Sequence, residues 1–120
     1  MATGFGKSGS AVYRITEGDT KPDLEAQLTE GQTASDITGN TSVTFTMRRQ
    51  NIGTVKVNAA AAVVDDASTG LVHYEWTSND TDEPGIYEGK FQVNFSGGNR
   101  ASYPSDVGEY ILVIVQDDVA

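Results

Sequence analysis

The sequence has 120 residues, no cysteine, and 17 acidic against 8 basic residues, a formal net charge of −9. That length suits one domain, and the missing cysteines exclude disulfides, thiolate zinc sites and thiol nucleophiles. Lys and Arg are scattered, with Arg48-Arg49 the one basic pair, which argues against a phosphate-backbone partner; no apolar run approaches the ~18 residues of a membrane span.

Residues 1–10 are mostly Gly, Ser, Thr and Ala around Phe5 and Lys7. They read as a flexible arm, with 11–120 as the domain. The start Met1 to Lys7 lacks the apolar core of a signal peptide, so use without a standard export step is expected. Beyond the arm, turn residues recur at Gly18-Asp19, Gly31, Gly39-Asn40, Asn51-Ile52-Gly53, Asp65-Asp66, Pro84-Gly85, Gly97-Gly98 and Gly108. Between them lie short β-branched and aromatic runs. Strands at roughly 8–12-residue spacing predict an all-β, immunoglobulin-like antiparallel β-sandwich of about seven to nine strands.

Leu24, Ala26 and Leu28 alternate with polar residues, as do Val43, Phe45 and Met47. Period two sends each set to one sheet face. Ala59 to Ala62 has helical propensity but sits between Val55-Lys56-Val57 and Val63-Val64, so it reads as strand or as a loop crossing between sheets. Leu71 to Trp76 sets Val72, Tyr74 and Trp76 against Leu71, His73 and Glu75; Trp76, the single tryptophan, is expected to anchor the core. Tyr87, Gly89, Phe91, Val93 and Phe95 form the longest alternation, and Gly97-Gly98 reads as the hairpin turn after it. The continuous run Ile111 to Val115 fits a last strand covered on both faces, or one with a face against a partner.

Asp82-Glu83-Pro84-Gly85-Ile86-Tyr87 carries the pattern of a tyrosine corner. Gly85 supplies the turn, and the Tyr87 hydroxyl bonds back to upstream main chain. This motif is structural. The acidic loop residues Asn79, Asp80, Asp82 and Glu83, with Asp65-Asp66, could offer calcium some of the about six to eight oxygens it takes. Asp and Asn are also ordinary loop residues, and no EF-hand pattern is present. His73 stands alone, where a metal site asks for more ligands and a general base for a nucleophile and an orienting partner; it reads as a packed or edge residue. No Gly-x-Ser-x-Gly elbow occurs, and neither Gly4-Phe5-Gly6 nor Gly97-Gly98 has phosphate-loop spacing. The sequons at Asn40, Asn79 and Asn94 read as chance in a chain rich in Asn, Thr and Ser. No catalytic residue, cofactor or metal is expected.

The order of motifs has a family likeness. Gly18-Asp19-Thr20 with Pro22 and Leu24 is followed by Asp36-Ile37-Thr38-Gly39 and by Val43 to Arg48. Thr69 to Trp76 and Asp82 to Tyr87 come next, then Phe91-Gln92-Val93, Tyr103-Pro104 and the Ile111 to Val115 strand. From about Val12 to Val115 this resembles the immunoglobulin-like N-terminal domain of phage baseplate upper proteins and related tailed-virus structural proteins. The resemblance implies a sandwich that holds receptor-binding or tail-tip parts, with Trp76, Gly85, Tyr87 and Pro104 as framework positions and no catalytic residues.

The expected function is therefore a virion structural protein of the tail or baseplate, made in the host cytoplasm. Its partners are other virion structural proteins and further copies of itself, with no nucleic acid and no membrane. Phe5 is the one large apolar anchor of a possible assembly arm. Baseplate upper proteins continue into a long C-terminal region, whereas this sequence stops at Ala120, so a capsid decoration or head–tail protein is one alternative. A carbohydrate- or calcium-binding module is another.

Overall fold

The computed structural model describes residues 3–4, 12–30, 33–51, 53–104 and 110–118. Among them, strands form where apolar and polar residues alternate and break where glycine or acidic clusters intervene. In chain order they are β1 (Thr3–Gly4), β2 (Val12–Thr16), β3 (Leu24–Gln27), β4 (Thr29–Glu30), β5 (Thr33–Ala34) and β6 (Asn40–Arg49). β7 (Val55–Ala61), β8 (Val63–Asp66), β9 (Leu71–Tyr74), β10 (Gly85–Phe95), β11 (Arg100–Tyr103) and β12 (Ile111–Gln116) complete the set. Two single 3-10 turns, Ala67–Thr69 and Ser96–Gly98, are the helical pieces among these residues. Nine of the strands have four residues or more.

One sheet runs β1-β3-β9-β8 and the other β2-β12-β10-β6-β7, with β11 also on β10; β4 and β5 pair separately. The 11-residue β10 organises the larger sheet. Along one side it pairs with the whole of β6. Along the other it serves β12 over Gly85–Gly89 and β11 over Phe91–Asn94. The Ser96–Gly98 turn closes the β10–β11 hairpin.

Seven pairings are antiparallel. Two are parallel: β2 lies beside β12, with Val12 opposite Leu112, and β1 lies beside β3. These parallel contacts add to the antiparallel sandwich expected from alternation, because period two fixes the face of a strand and not its direction. Of the arm expected over residues 1–10, only Thr3–Gly4 is described, with Thr3 opposite Ala26 and Gly4 opposite Gln27; Phe5 lies outside the described residues.

The Ala59–Ala62 stretch divides as its flanks demand. β7 ends at Ala61 in the larger sheet, Ala62 crosses, and β8 starts at Val63 in the smaller one. Asp65 and Asp66, expected in a turn, instead end β8; Asp66 then caps the 3-10 turn by accepting from the Ser68 N–H.

The core fills the space between the two sheets. Leu24, Ala26, Val72 and Tyr74 enter from the smaller sheet, and Val43, Phe45, Met47, Tyr87, Phe91, Val93, Ile111 and Val113 from the larger. Phe45 sits at its centre. Its ring centroid lies 5.0 Å from Phe91 in the same sheet and 4.9 Å from Tyr74 in the other, and the tilted contact with Tyr74 ties the two sheets.

Candidate functional site

The corner at the start of β10 is built by local sequence. After Pro84 and Gly85 the strand begins, and Tyr87, on the inward parity, is buried. Its hydroxyl donates to the Glu83 carbonyl at 2.7 Å, the geometry of a tyrosine corner. Burial pushes the hydroxyl pKa up, while the Arg49 guanidinium pulls the other way. That guanidinium stands 5.7 Å from the Tyr87 ring centroid, donates to the Pro84 carbonyl at 3.2 Å and pairs with Glu83 at 3.2 Å. Gly85 makes room for it: a Cβ there would meet Arg49 Nη2 at 2.9 Å. The Arg48-Arg49 pair is thus split, since Arg48 faces the other side of the sheet and pairs with Glu88 at 3.1 Å.

Trp76 lies two residues past β9, buried, with its ring edge-on to Phe45 and Tyr74 and stacked on Tyr13. Its Nε1 donates to the Tyr13 hydroxyl at 3.3 Å, and that hydroxyl donates to the Pro22 carbonyl. Pro104 is buried beyond β11, and its carbonyl accepts from Lys90 Nζ at 3.0 Å. Gly85 and Tyr87 thus share the corner while Trp76 and Pro104 fall at two other places around the core, and the four framework positions form no single site.

The acidic loop residues do not converge on a calcium position either. Asp80 is buried and accepts from the Tyr74 hydroxyl at 2.6 Å and the Thr77 N–H at 2.9 Å. Burial, then this carboxylate, hold the Tyr74 hydroxyl protonated far above its ordinary range. Asp82 pairs with Lys56, Glu83 with Arg49, and Asp66 caps its turn.

A different cluster does assemble, on the outer face of the smaller sheet. His73 on β9 meets Asp65 at Nδ1 (2.9 Å) and Glu75 at Nε2 (3.1 Å), and Asp23 lies close by. The hydrogen bonds to Asp65 and then Glu75 raise its pKa. The residue whose sequence context suggests mere packing or an edge position is thus the centre of a carboxylate ring. Alternation sets His73 and Glu75 on one side of their strand and Asp23 and Glu25 on one side of theirs, but the register that joins the two is a tertiary fact.

The outer face of the larger sheet has another character. Ile111, Val113 and Val115 point inward and are buried, whereas Leu112 and Ile114 face out and are half-buried. Beside them lie exposed Val12 and Ile86, 51% and 45% accessible, opposite Leu112 and Ile114 respectively. Farther along this face an open groove of about 600 Å³ runs past Arg48, Glu88, Lys90, Gln92, Ser102 and Tyr110. Gln50 bridges part of it by donating to Glu88 and to the Tyr110 hydroxyl.

Two face-packed sheets, a tyrosine corner and a tryptophan wedged between the layers define an immunoglobulin-like β-sandwich. Residues 6–103 match the BppU N-terminal domain, and the chain belongs to that family, the N-terminal domains of phage baseplate upper proteins. It is a structural module of a tailed-phage baseplate, and thereby a virion component in contact with other virion proteins. Its fold is similar to the N-terminal domain of phage TP901-1 ORF48, with a TM-score of 0.68 over 96% of this chain and 94% of that one, at 18% identity. No match was found among curated proteins. No helix among the described residues is long and apolar enough to cross a membrane.

Proposed function

We propose that the domain works by contacts alone, setting the outer face of its larger sheet against a neighbouring baseplate protein. The observation that carries this is the apolar row Val12, Leu112, Ile114 and Ile86. These residues share one face of three adjacent strands, Val12 and Ile86 exposed and Leu112 and Ile114 half-buried beside them. Contiguous exposed apolar surface on a protein of this size marks an interaction site. On this reading the domain catalyses nothing, assembles as a homo-oligomer in the particle, and is made in the host cytoplasm. Arg48, Arg49 and Lys56 are neutralised by carboxylates, which supports protein over nucleic acid as partner. The N-terminal arm with Phe5 is a second anchor; ordering it costs entropy, which a strand-like addition such as the Thr3–Gly4 pairing offsets.

The test is gold-labelled antibody on phage particles carrying the wild-type protein or Ile86→Asp. Tail-tip label on wild-type particles, with a large loss for the folded variant, is the expected result. Label over the head, or equal incorporation of the variant, sinks it. The open groove beside Tyr110, which mixes aromatic and polar side chains, favours a second reading, a glycan-binding module, which predicts a melting-temperature rise with a carbohydrate panel.

A further inference from the structure

Three carboxylates and the chain's single histidine meet on the outer face of the smaller sheet, away from the apolar row. β3 and β9 pair with Leu24 opposite Tyr74 and Glu25 opposite His73. Asp23 and Glu75 each lie one residue farther along and therefore come side by side. One ligand atom from each of Asp23, His73 and Glu75 lies within 4.8 Å of the other two. From β8, both oxygens of Asp65 reach His73 Nδ1, at 3.0 and 2.9 Å, while Nε2 on the far side of the ring faces Glu75 Oε2 at 3.1 Å.

Two features separate this group from an ordinary solvated acidic face. Like charges set opposite each other across strands destabilise a sheet, and Asp23 beside Glu75 is such a pair; a cation held between them removes the cost. The imidazole is also oriented. Asp65 holds Nδ1, and Nε2 faces the Glu75 carboxylate. The positive centre between Nε2 and that carboxylate is a proton in the metal-free protein, and a metal ion at the same place would displace it. A carboxylate on one ring nitrogen and a metal on the other is the usual way a metal-ligating histidine is held. Lys21 pairs with Asp23 Oδ1 from the solvent side at 3.0 Å, and so exposed an ion pair is displaced at little cost.

We propose that Asp23, His73 and Glu75 bind one divalent transition-metal ion of the zinc class, with Asp65 as the positioning residue for the imidazole. One imidazole nitrogen with carboxylate oxygens suits zinc, whereas magnesium and calcium take all-oxygen shells. Zinc–ligand distances of about 2.0–2.2 Å require the side chains to close inward, which exposed Glu75 can do by changing rotamer. The fourth coordination position faces solvent.

The test titrates the metal-stripped 120-residue protein with zinc chloride, following heat and melting temperature, beside magnesium and calcium chloride. One saturable zinc site with a raised melting temperature, and no matching response to magnesium or calcium, is expected. His73→Asn and Glu75→Gln should each abolish it. Asp65→Asn should weaken it by roughly 10–100-fold at unchanged stoichiometry. Cobalt substitution should give the visible absorption of a low-coordinate nitrogen–oxygen site. Absence of saturable zinc binding overturns the proposal, as does binding retained at full strength by His73→Asn, or equal binding of calcium. Should His73→Asn fail to fold, Glu75→Gln, altered at an exposed position, decides the question in the same way.

Discussion

Tyr87 shows how much one residue can be read from its neighbours. The acidic-Pro-Gly-x-Tyr order is local, so the bond from its hydroxyl to the Glu83 carbonyl was open to inference from the sequence. The guanidinium of Arg49 over the same ring was not, because Arg49 reaches it only through the β6–β10 register, where Arg49 stands opposite Tyr87. Tyr87→Phe removes the hydroxyl and with it a part-buried bond to the carbonyl of exposed Glu83, which water can then reach. It should lower unfolding free energy by about 0.5–1.5 kcal/mol, read from urea midpoints at unchanged slope. Asp36 makes a pH prediction. It accepts from the Thr38 N–H at 2.9 Å, and hydrogen bonds from Thr38 hold its carboxyl below the usual aspartate range. A group that titrates lower folded than unfolded contributes fully above the ordinary value of about 3.9. Its contribution disappears as pH falls through the lower folded value. Asp36→Ala should therefore be less stable than wild type at pH 6, with the difference vanishing in acid. Urea melts across pH 2 to 6 would show the two curves converge; parallel curves would mean the Thr38 contact carries no linkage.

At the level of the strand, alternation located β6 and β10 and their inward residues, because each carries its own period over five or more positions; β12 was legible only as a continuous apolar run, which does not say which of its residues face inward. What alternation could not supply was partnership. That β10 serves β12 and β11 end to end on one side, or that β2 runs parallel to β12, depends on where distant strands lie. The carboxylates around His73 were illegible for the same reason, coming from β8 and from the residues next to the ends of β3 and β9. Gly89 is the clearest case of a strand residue whose role is set by its neighbour. It interrupts an alternation of large residues, and a Cβ there would meet the Phe45 ring at 2.8 and 2.9 Å. Phe45 is fully buried against Tyr74, Trp76 and Phe91 and cannot step back. Gly89→Ala should thus cost about 1–3 kcal/mol by overpacking. Phe45→Leu frees space at the ring edge, so Gly89→Ala should cost less in that background than alone. A double-mutant cycle in urea measures the coupling, and strict additivity would show that the glycine is there for a reason other than the ring.

For the molecule as a whole, the two outer faces divide the work. The smaller sheet turns Asp23, Glu25, Asp65 and Glu75 outward around one histidine, and the larger sheet turns out the row Val12, Leu112, Ile114 and Ile86. With a net charge of −9, copies of the chain repel one another, and crowding them into one particle works against that repulsion. Burial of the apolar row is insensitive to screening, whereas repulsion between exposed charges fades once they are separated by more than a Debye length, about 10 Å at 0.1 M salt. The two faces therefore respond to salt in different ways. Docking through the larger sheet should hold or strengthen as sodium chloride rises from about 50 to about 500 mM, and Ile86→Asp should be defective throughout. Docking through ion pairs of the acidic face should instead weaken steadily over that range and leave Ile86→Asp near wild type. Incorporation into particles assembled at each salt concentration, read by quantitative blotting, distinguishes the two faces whichever baseplate protein is the partner.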